Sequence, residues 1–429
     1  MKELLTSSFA ADSLVFQTLQ LFLPQNVTNI LKKTMIKTKN LLLLAMVYSI
    51  LISCSKSKDS TISPNSPKSK ISPSSNADAK SSYSNSKTNI RIDYYSIPFS
   101  GNSGSLRDAI AYIDANGDGI TDVFMATGDY LLQGEVKSIL AINNGSQKFN
   151  SSTTEFNNNL PPATHARKSI VSDFNNDNLK DIFVFDHGYD ANPFPGSQCK
   201  LVIQNSKGAF SWSKLPEVGF FHGGAAADID NDGDIDIFVG GFEPFFYIND
   251  GTGNFQATRD RLDSNITGIA KVFTAELIDV DKDGYLDLLV GAHEHEGNKT
   301  TIFWGNNTGV YLESKKTILP SVNNYGVILD FDAEDLDGDG DRDLVINRTG
   351  GGNSNFYIGR RSQLLINNGN RSFTDKTSQI DNPGVDNETW FPWIRIQDAD
   401  NDGDLDILSD DLADEFFLKN DGSAKFTRI

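Results

Sequence analysis

Residues 228–236 read Asp-Ile-Asp-Asn-Asp-Gly-Asp-Ile-Asp, and the apolar run Ile237, Phe238, Val239 follows at once. Carboxylates at positions 1, 3 and 5 of such a stretch converge when the backbone coils tightly. A hard cation such as calcium takes six to eight oxygens at about 2.3–2.6 Å, and this spacing supplies them. Position 6 has to turn sharply, often with positive φ, which glycine adopts without steric cost. Position 7 offers its carbonyl, and the aspartate at position 9 closes the shell. An EF-hand closes instead with Glu at position 12 and lies between two helices. Here a β-rich apolar run follows, so the loop joins strands.

The pattern recurs. Asp114, Asn116, Asp118 and Asp122 fill positions 1, 3, 5 and 9 of the first copy, and Asp173, Asn175, Asp177 and Asp181 those of the second. Asp228, Asp230, Asp232 and Asp236 make the third, and Asp279, Asp281, Asp283 and Asp287 the fourth. Asp335, Asp337, Asp339 and Asp343 make the fifth, and Asp398, Asp400, Asp402 and Asp406 the sixth. Copies 3 to 6 carry four carboxylates. Copies 1 and 2 have Asn at position 3, an oxygen without charge, which predicts weaker cation binding there. Asn178 takes position 6 of copy 2, and Asn is the best non-glycine residue for it. First residues are separated by 59, 55, 51, 56 and 63 positions. That period is the size of a four-stranded propeller blade with generous loops.

Each copy sits in one frame. An apolar strand signal precedes it (168–171, 224–227, 274–278) and another follows (181–185, 236–239, 287–290). A third strand then runs into a glycine-containing hairpin (140–145, 246–251, 364–369, 416–422), where Asn-Gly and Asp-Gly mark tight turns. An aromatic opens the fourth strand: Phe149, Phe210, Phe255, Tyr311, Phe373 and Phe426. The fold expected is all-β, a propeller of six four-stranded blades, with seven as the alternative. An extra strand at 89–99 is expected to pair with the last blade.

On these residues the stretch from about 100 to 429 resembles the FG-GAP/VCBS repeat family, the propellers of bacterial surface proteins and of integrin α-chain heads. The resemblance implies that each loop joins strands 1 and 2 of its blade and holds one calcium, up to six in all, in a structural role. The family's Phe-Gly-Gly-Ala-Pro signature is not intact; Phe238-Val-Gly-Gly241 is its nearest echo.

The front end reads as an address. Lys37 and Lys39 precede an apolar stretch, 41–52, too short to span a bilayer as a helix but suited to a secretory signal. It ends in Leu51-Ile52-Ser53-Cys54, which resembles the lipobox of bacterial lipoproteins. The resemblance implies a lipidated Cys54, export, and attachment to a bacterial outer membrane or cell surface. Residues 35–53 are thus read as the signal peptide and 54–89, rich in Ser, Lys and Pro, as a disordered tether. Residues 90–429 are read as the propeller. Residues 1–34, with Glu3 and Asp12, do not suit a signal and read as a gene-model extension, with Met35 as the start. Cys199, beside an apolar run, reads as a small core residue.

A net charge of −19 argues against nucleic acid as a partner. Blade geometry puts the 1–2 and 3–4 loops on one face and the 2–3 and 4–1 loops on the other. All five histidines, His165, His187, His222, His293 and His295, fall in segments of the second face, as do Trp390 and Phe391. Arg167 and Arg360 are candidates to join them. These residues are read as a ligand site on the face opposite the Asp loops. The function expected is a non-catalytic, lipid-anchored surface protein that binds a glycan or a protein and contacts membrane through its anchor. The alternative is a glycan lyase or hydrolase that uses His and Glu of that face, with His293-Glu-His-Glu296 also suited to a transition metal. No nucleophile elbow, phosphate loop or zincin motif occurs.

Overall fold

Why these residues form strands is visible in their spacing: short β-branched and aromatic runs, each cut off by Asp, Asn and Gly. The computed structural model describes residues 105–129, 133–146, 148–266, 269, 271–351, 357–385, 390, 393–409 and 417–429. They form six four-stranded antiparallel sheets arranged in a ring, a six-bladed β-propeller. The signal, tether and extension expected at 1–89, the strand expected at 89–99, and Phe391 lie outside the described residues.

Every blade takes its strands from one continuous stretch. Blade 1 is Ser105–Ile113, Asp122–Asp129, Ile139–Asn143 and Phe149–Ser152, and blade 2 is Ala166–Ser172, Asp181–Asp186, Lys200–Ser206 and Ala209–Lys214. Blade 3 is Gly224–Ala227, Asp236–Val239, Phe245–Asn249 and Phe255–Thr258, and blade 4 is Val272–Ile278, Asp287–Ala292, Thr301–Phe303 and Lys316–Ile318. Blade 5 is Val327–Glu334, Asp343–Thr349, Arg360–Asn367 and Phe373–Asp375, with Gly384–Val385 added beside its third strand. Blade 6 is Ile394–Gln397, Asp406–Ser409, Phe417–Asn420 and Phe426–Arg428. No α-helix occurs among the described residues.

One expectation needs correcting. Tyr311 does not open the fourth strand of blade 4, which begins at Lys316. Its ring is drawn inward instead, stacked 5.9 Å from Phe246 of blade 3, and its hydroxyl donates to the Leu286 carbonyl at 3.0 Å. Burying the ring between blades outweighs pairing in the hairpin.

The core is divided among the blade interfaces. Phe174, Phe183, Phe185, Cys199 and Leu201 of blade 2 pack against Ile237, Val239, Phe245 and Tyr247 of blade 3. Equivalent clusters lie between blades 1 and 2, 3 and 4, 4 and 5, and 5 and 6. A buried Phe of this kind contributes roughly 1.5–3 kcal/mol. Cys199 is fully buried.

The first strands of consecutive blades lie side by side around the axis. They carry ions inward. Lys168 of blade 2 pairs with Glu276 of blade 4 at 2.8 Å, both almost wholly buried. Asp330 of blade 5 is buried beside them, accepts the backbone N–H of Ile394 at 3.0 Å, and has its carboxyl raised well above the usual range by burial. Lys168 also lies 5.1 Å from the ring centre of Trp393.

Candidate functional site

The six Asp loops all lie between strands 1 and 2. In each, the residue before position 1 faces position 9 across the sheet: Ile113 and Asp122, Ser172 and Asp181, Ala227 and Asp236, Ile278 and Asp287, Glu334 and Asp343, Gln397 and Asp406. Position 6 has the positive φ expected of it, from +68° at Asn178 to +100° at Gly403. Position 4 does too, at Gly117, Asn176, Asn231, Lys282, Gly338 and Asn401. The excess of Gly and Asn at position 4 was a legible signal for that second left-handed residue.

The position-1 carboxylate folds the coil. Asp279 accepts from Asp283 N at 3.1 Å and Gly284 N at 2.9 Å, and Asp228 does the same with Asp232 and Gly233. Position 9 has a second duty that its spacing did not reveal. Its two oxygens accept one N–H from loop position 2 and one from the third strand or, in blade 4, from just beyond its end. Asp122 takes Ala115 and Asn143, Asp181 Phe174 and Gln204, and Asp236 Ile229 and Asn249. Asp287 takes Val280 and Gly305, Asp343 Leu336 and Asn367, and Asp406 Ala399 and Asn420. These carboxylates are fully buried. Burial lifts Asp122, Asp181 and Asp343 to about 6 and Asp236 to about 8.

The loops also clasp the next blade. Asn249 of blade 3 donates to the Phe174 carbonyl of blade 2 at 2.8 Å, and Asn420 of blade 6 to the Leu336 carbonyl of blade 5 at 2.9 Å. Gln204 of blade 2 reaches the Asp114 carbonyl of blade 1 at 3.2 Å.

The donor sets fit a metal ion. Ligand oxygens of Asp228, Asp230 and Asp236 lie within 4.8 Å of one another, as do those of Asp279, Asp281 and Asp287, and those of Asp335, Asp337 and Asp339. Asp230 Oδ1 is buried and accepts no hydrogen bond. Basic side chains are drawn to these loops: Arg261 onto Asp230 at 2.7 Å, Arg371 onto Asp281 and Asp283, and Lys419 onto Asp400 and Asp402. In copies 1 and 2 the loop supplies its own cross-link. Asn116 Nδ2 donates to Asp118 Oδ2 at 3.0 Å, and Asn175 Nδ2 to Asp177 Oδ2 at 3.1 Å.

The opposite face gathers the histidines. His165 precedes the first strand of blade 2, His187 follows its second, His222 precedes the first strand of blade 3, and His293 follows the second of blade 4. The ring centres of His165 and His187 are 4.1 Å apart, and His187 and His222 are 4.9 Å apart. His222 packs on Phe273, which lies 4.9 Å from His293, and His293 lies 5.2 Å from His295. Arg167 sits over Phe273 at 5.8 Å and over Trp390 at 6.0 Å, and Trp390 lies 5.4 Å from Tyr357. All five histidines and Trp390 thus join one chain of ring contacts. Arg360 instead opens the third strand of blade 5, opposite Thr349 and Val385.

Electrostatics keep His165, His187, His222 and His293 neutral. Burial, then the Arg167 charge, holds His165 and His222 far below the usual imidazole range and brings His187 down to about 3. Burial brings His293 to about 4.

The chain of rings runs outward into an aromatic ladder that the sequence did not single out. Phe220 stacks on His187 at 3.9 Å, Phe242 stacks on Phe220 at 4.9 Å, and Phe194 meets Phe220 edge-on at 5.8 Å. Phe194 and Phe242 are 48% and 47% exposed. They border an open groove of about 560 Å³ with Glu217, Glu243 and Arg259.

Comparison with known proteins places the repeat. The family model described as FG-GAP-like repeat matches residues 114–184, 173–239, 279–346 and 335–409, which take in all six Asp loops. No curated protein matches. Among solved structures, the crystal structure of the V. cholerae biofilm matrix protein Bap1 aligns at 17% identity and a TM-score of 0.40. The alignment covers 70% of this chain and 43% of that one, so the chain spans less than half the length of that protein. With more than half of its residues under the repeat model, the chain belongs to the FG-GAP-like repeat family.

Proposed function

We propose that this chain is a non-catalytic binding protein that recognises a glycan on the face opposite its Asp loops. The ladder of His187, Phe220 and Phe242, exposed at its outer end and bordering a groove, carries this reading. A sugar ring presents an apolar C–H face that stacks on such aromatics and hydroxyls that bond to neutral imidazoles and carboxylates.

Calcium occupies the Asp loops in this reading and stiffens the turns that clasp neighbouring blades. Asp228, Asp230 and Asp236, with their counterparts in the other copies, hold it. Calcium supplies charge neutralisation there; the loop backbone supplies the shape. A lipid on Cys54 holds the protein at the cell surface. Cys54→Ser is then expected to abolish fatty-acid labelling and release the protein from membranes.

A glycan-array screen of the purified chain with calcium tests the binding role. Phe220→Ala and Phe242→Ala should each weaken the captured glycan by about tenfold, in keeping with the stake of an aromatic anchor. Capture of no glycan, or binding indifferent to both changes, overturns it. One observation favours an enzyme instead: His293 Nδ1, on a ring kept neutral by burial, lies 3.7 Å from Glu296 Oε1. Turnover of an array-positive glycan that disappears in His293→Ala would establish that reading.

A further inference from the structure

We propose that His165, His187 and Asp190 form a site for one borderline divalent transition metal, on the face opposite the Asp loops. A nitrogen of each ring and a carboxylate oxygen of Asp190 lie within 4.8 Å of one another. Two imidazoles and one carboxylate suit zinc and its neighbours, whereas calcium prefers oxygen throughout. Three protein ligands leave a position open to solvent, and Asp190 is exposed at that side.

The site is built before any ion arrives. His165 and His187 are buried, and one carboxylate, Asp186, fixes the backbone of both. Its Oδ1 accepts from His165 N at 2.8 Å and Gly188 N at 3.1 Å. Its Oδ2 accepts from Thr164 N at 2.8 Å and Ser197 Oγ at 3.0 Å, and Lys200 pairs with it. His187 N donates to the His165 carbonyl at 3.2 Å.

Each ring has a nitrogen to give. His187 Nδ1 lies 2.8 Å from the Gly188 carbonyl, so it carries the proton and leaves the Nε2 lone pair available. Metal-bound histidines are oriented by such a backbone contact. His165 Nδ1 is buried and has no hydrogen-bond partner, and it gives its lone pair once the ring proton moves to Nε2. Burial keeps both rings neutral, the form that ligates. The comparable group at His293, His295 and Glu296 is less available, because Lys271 already pairs with Glu296.

One charge opposes the ion. Arg167 Nη1 donates to His165 Nε2 at 3.4 Å, which keeps the ring proton on Nδ1 until a metal displaces it. Asp190 offsets it only in part, so removing the guanidinium should strengthen binding.

The test is a zinc titration of the full chain in calcorimetric cells held at excess calcium, which fills the Asp loops, repeated with cobalt read by visible absorption. One calcium-resistant equivalent is expected. His187→Ala and Asp190→Ala should each weaken it by about tenfold or more. Asp190 is exposed, so its variant keeps the fold, which an unchanged melting curve verifies. Arg167→Ala should bind zinc more tightly, and a His293→Ala, His295→Ala double variant should bind as wild type does. Absence of calcium-resistant zinc binding overturns the proposal. So does binding that survives Asp190→Ala, or that is lost with His293 and His295. Weaker zinc binding in Arg167→Ala would mean that the guanidinium supports the ion instead of opposing it, and overturns the proposal equally.

Discussion

Arg371, in the hairpin of blade 5, donates from Nε to a carboxylate oxygen of Asp281 in blade 4 at 2.6 Å. Its Nη2 reaches Asp283 of the same loop at 3.0 Å, and its guanidinium lies 4.9 Å from the ring centre of Trp304. A tethered cation from one blade therefore lies on the position-3 and position-5 carboxylates of its neighbour. The contact ties cation chemistry to the docking of blades.

Arg371 and a metal compete for the same oxygens. Without metal, Arg371→Ala should cost at most about 0.5 kcal/mol, because the pair is partly exposed and screened. In the variant, calcium meets a loop already freed of its competitor. The calcium-induced rise in melting temperature should therefore be larger in Arg371→Ala than in wild type. A smaller rise would mean that the arginine assists the ion.

The loops should differ in affinity by charge. Asp283→Ala removes a charged ligand from a four-carboxylate loop, whereas Asn116→Ala removes a neutral oxygen whose amide already bonds to Asp118. Calorimetric calcium titration should show the greater loss for Asp283→Ala. Equal losses would refute a ranking by charge.

His222 gives the acid limb of stability. Burial, then Arg167, His187, His293 and His165, hold its imidazole well below 6.5. The folded state keeps the ring neutral, while the unfolded chain takes up a proton below pH 6.5. Its contribution is whole above that pH and is lost as pH falls, by up to about 1.4 kcal/mol per pH unit. Urea unfolding of wild type and His222→Gln should show their stability difference shrinking on acidification. A difference constant with pH would contradict a buried neutral ring.

On the axis, Lys168→Met leaves Glu276 buried without its counter-charge, beside the buried Asp330. Breaking one side of such a buried pair should cost about 3–5 kcal/mol. Urea unfolding at saturating calcium measures it, and a loss below about 1 kcal/mol would show that water or a proton compensates Glu276.

Much of this was legible in the sequence because the repeat carries local rules. Asp at 1, 5 and 9, Asp or Asn at 3, and Gly233 or Asn178 at the turn specify a coil whatever surrounds it. The face of each histidine followed from strand alternation alone. What could not be read was tertiary: that Tyr311 would leave its hairpin for Phe246, that Asp186 would organise two histidines, or that Phe220 would stack on both His187 and Phe242. Tyr311, Phe220 and Phe242 lie in irregular connections, where neither period nor propensity fixes the side chain's direction, and Asp186 ends a strand where its partners come from other segments.

Calcium-dependent melting decides whether the loops fasten the blades. Each ion bound only by the folded state adds about 2.7 kcal/mol at a hundredfold excess over its dissociation constant. Excess chelator should therefore lower the melting temperature of the full chain substantially, and returned calcium should restore it. A melting curve that chelator leaves unmoved would contradict a structural role for calcium in the Asp loops.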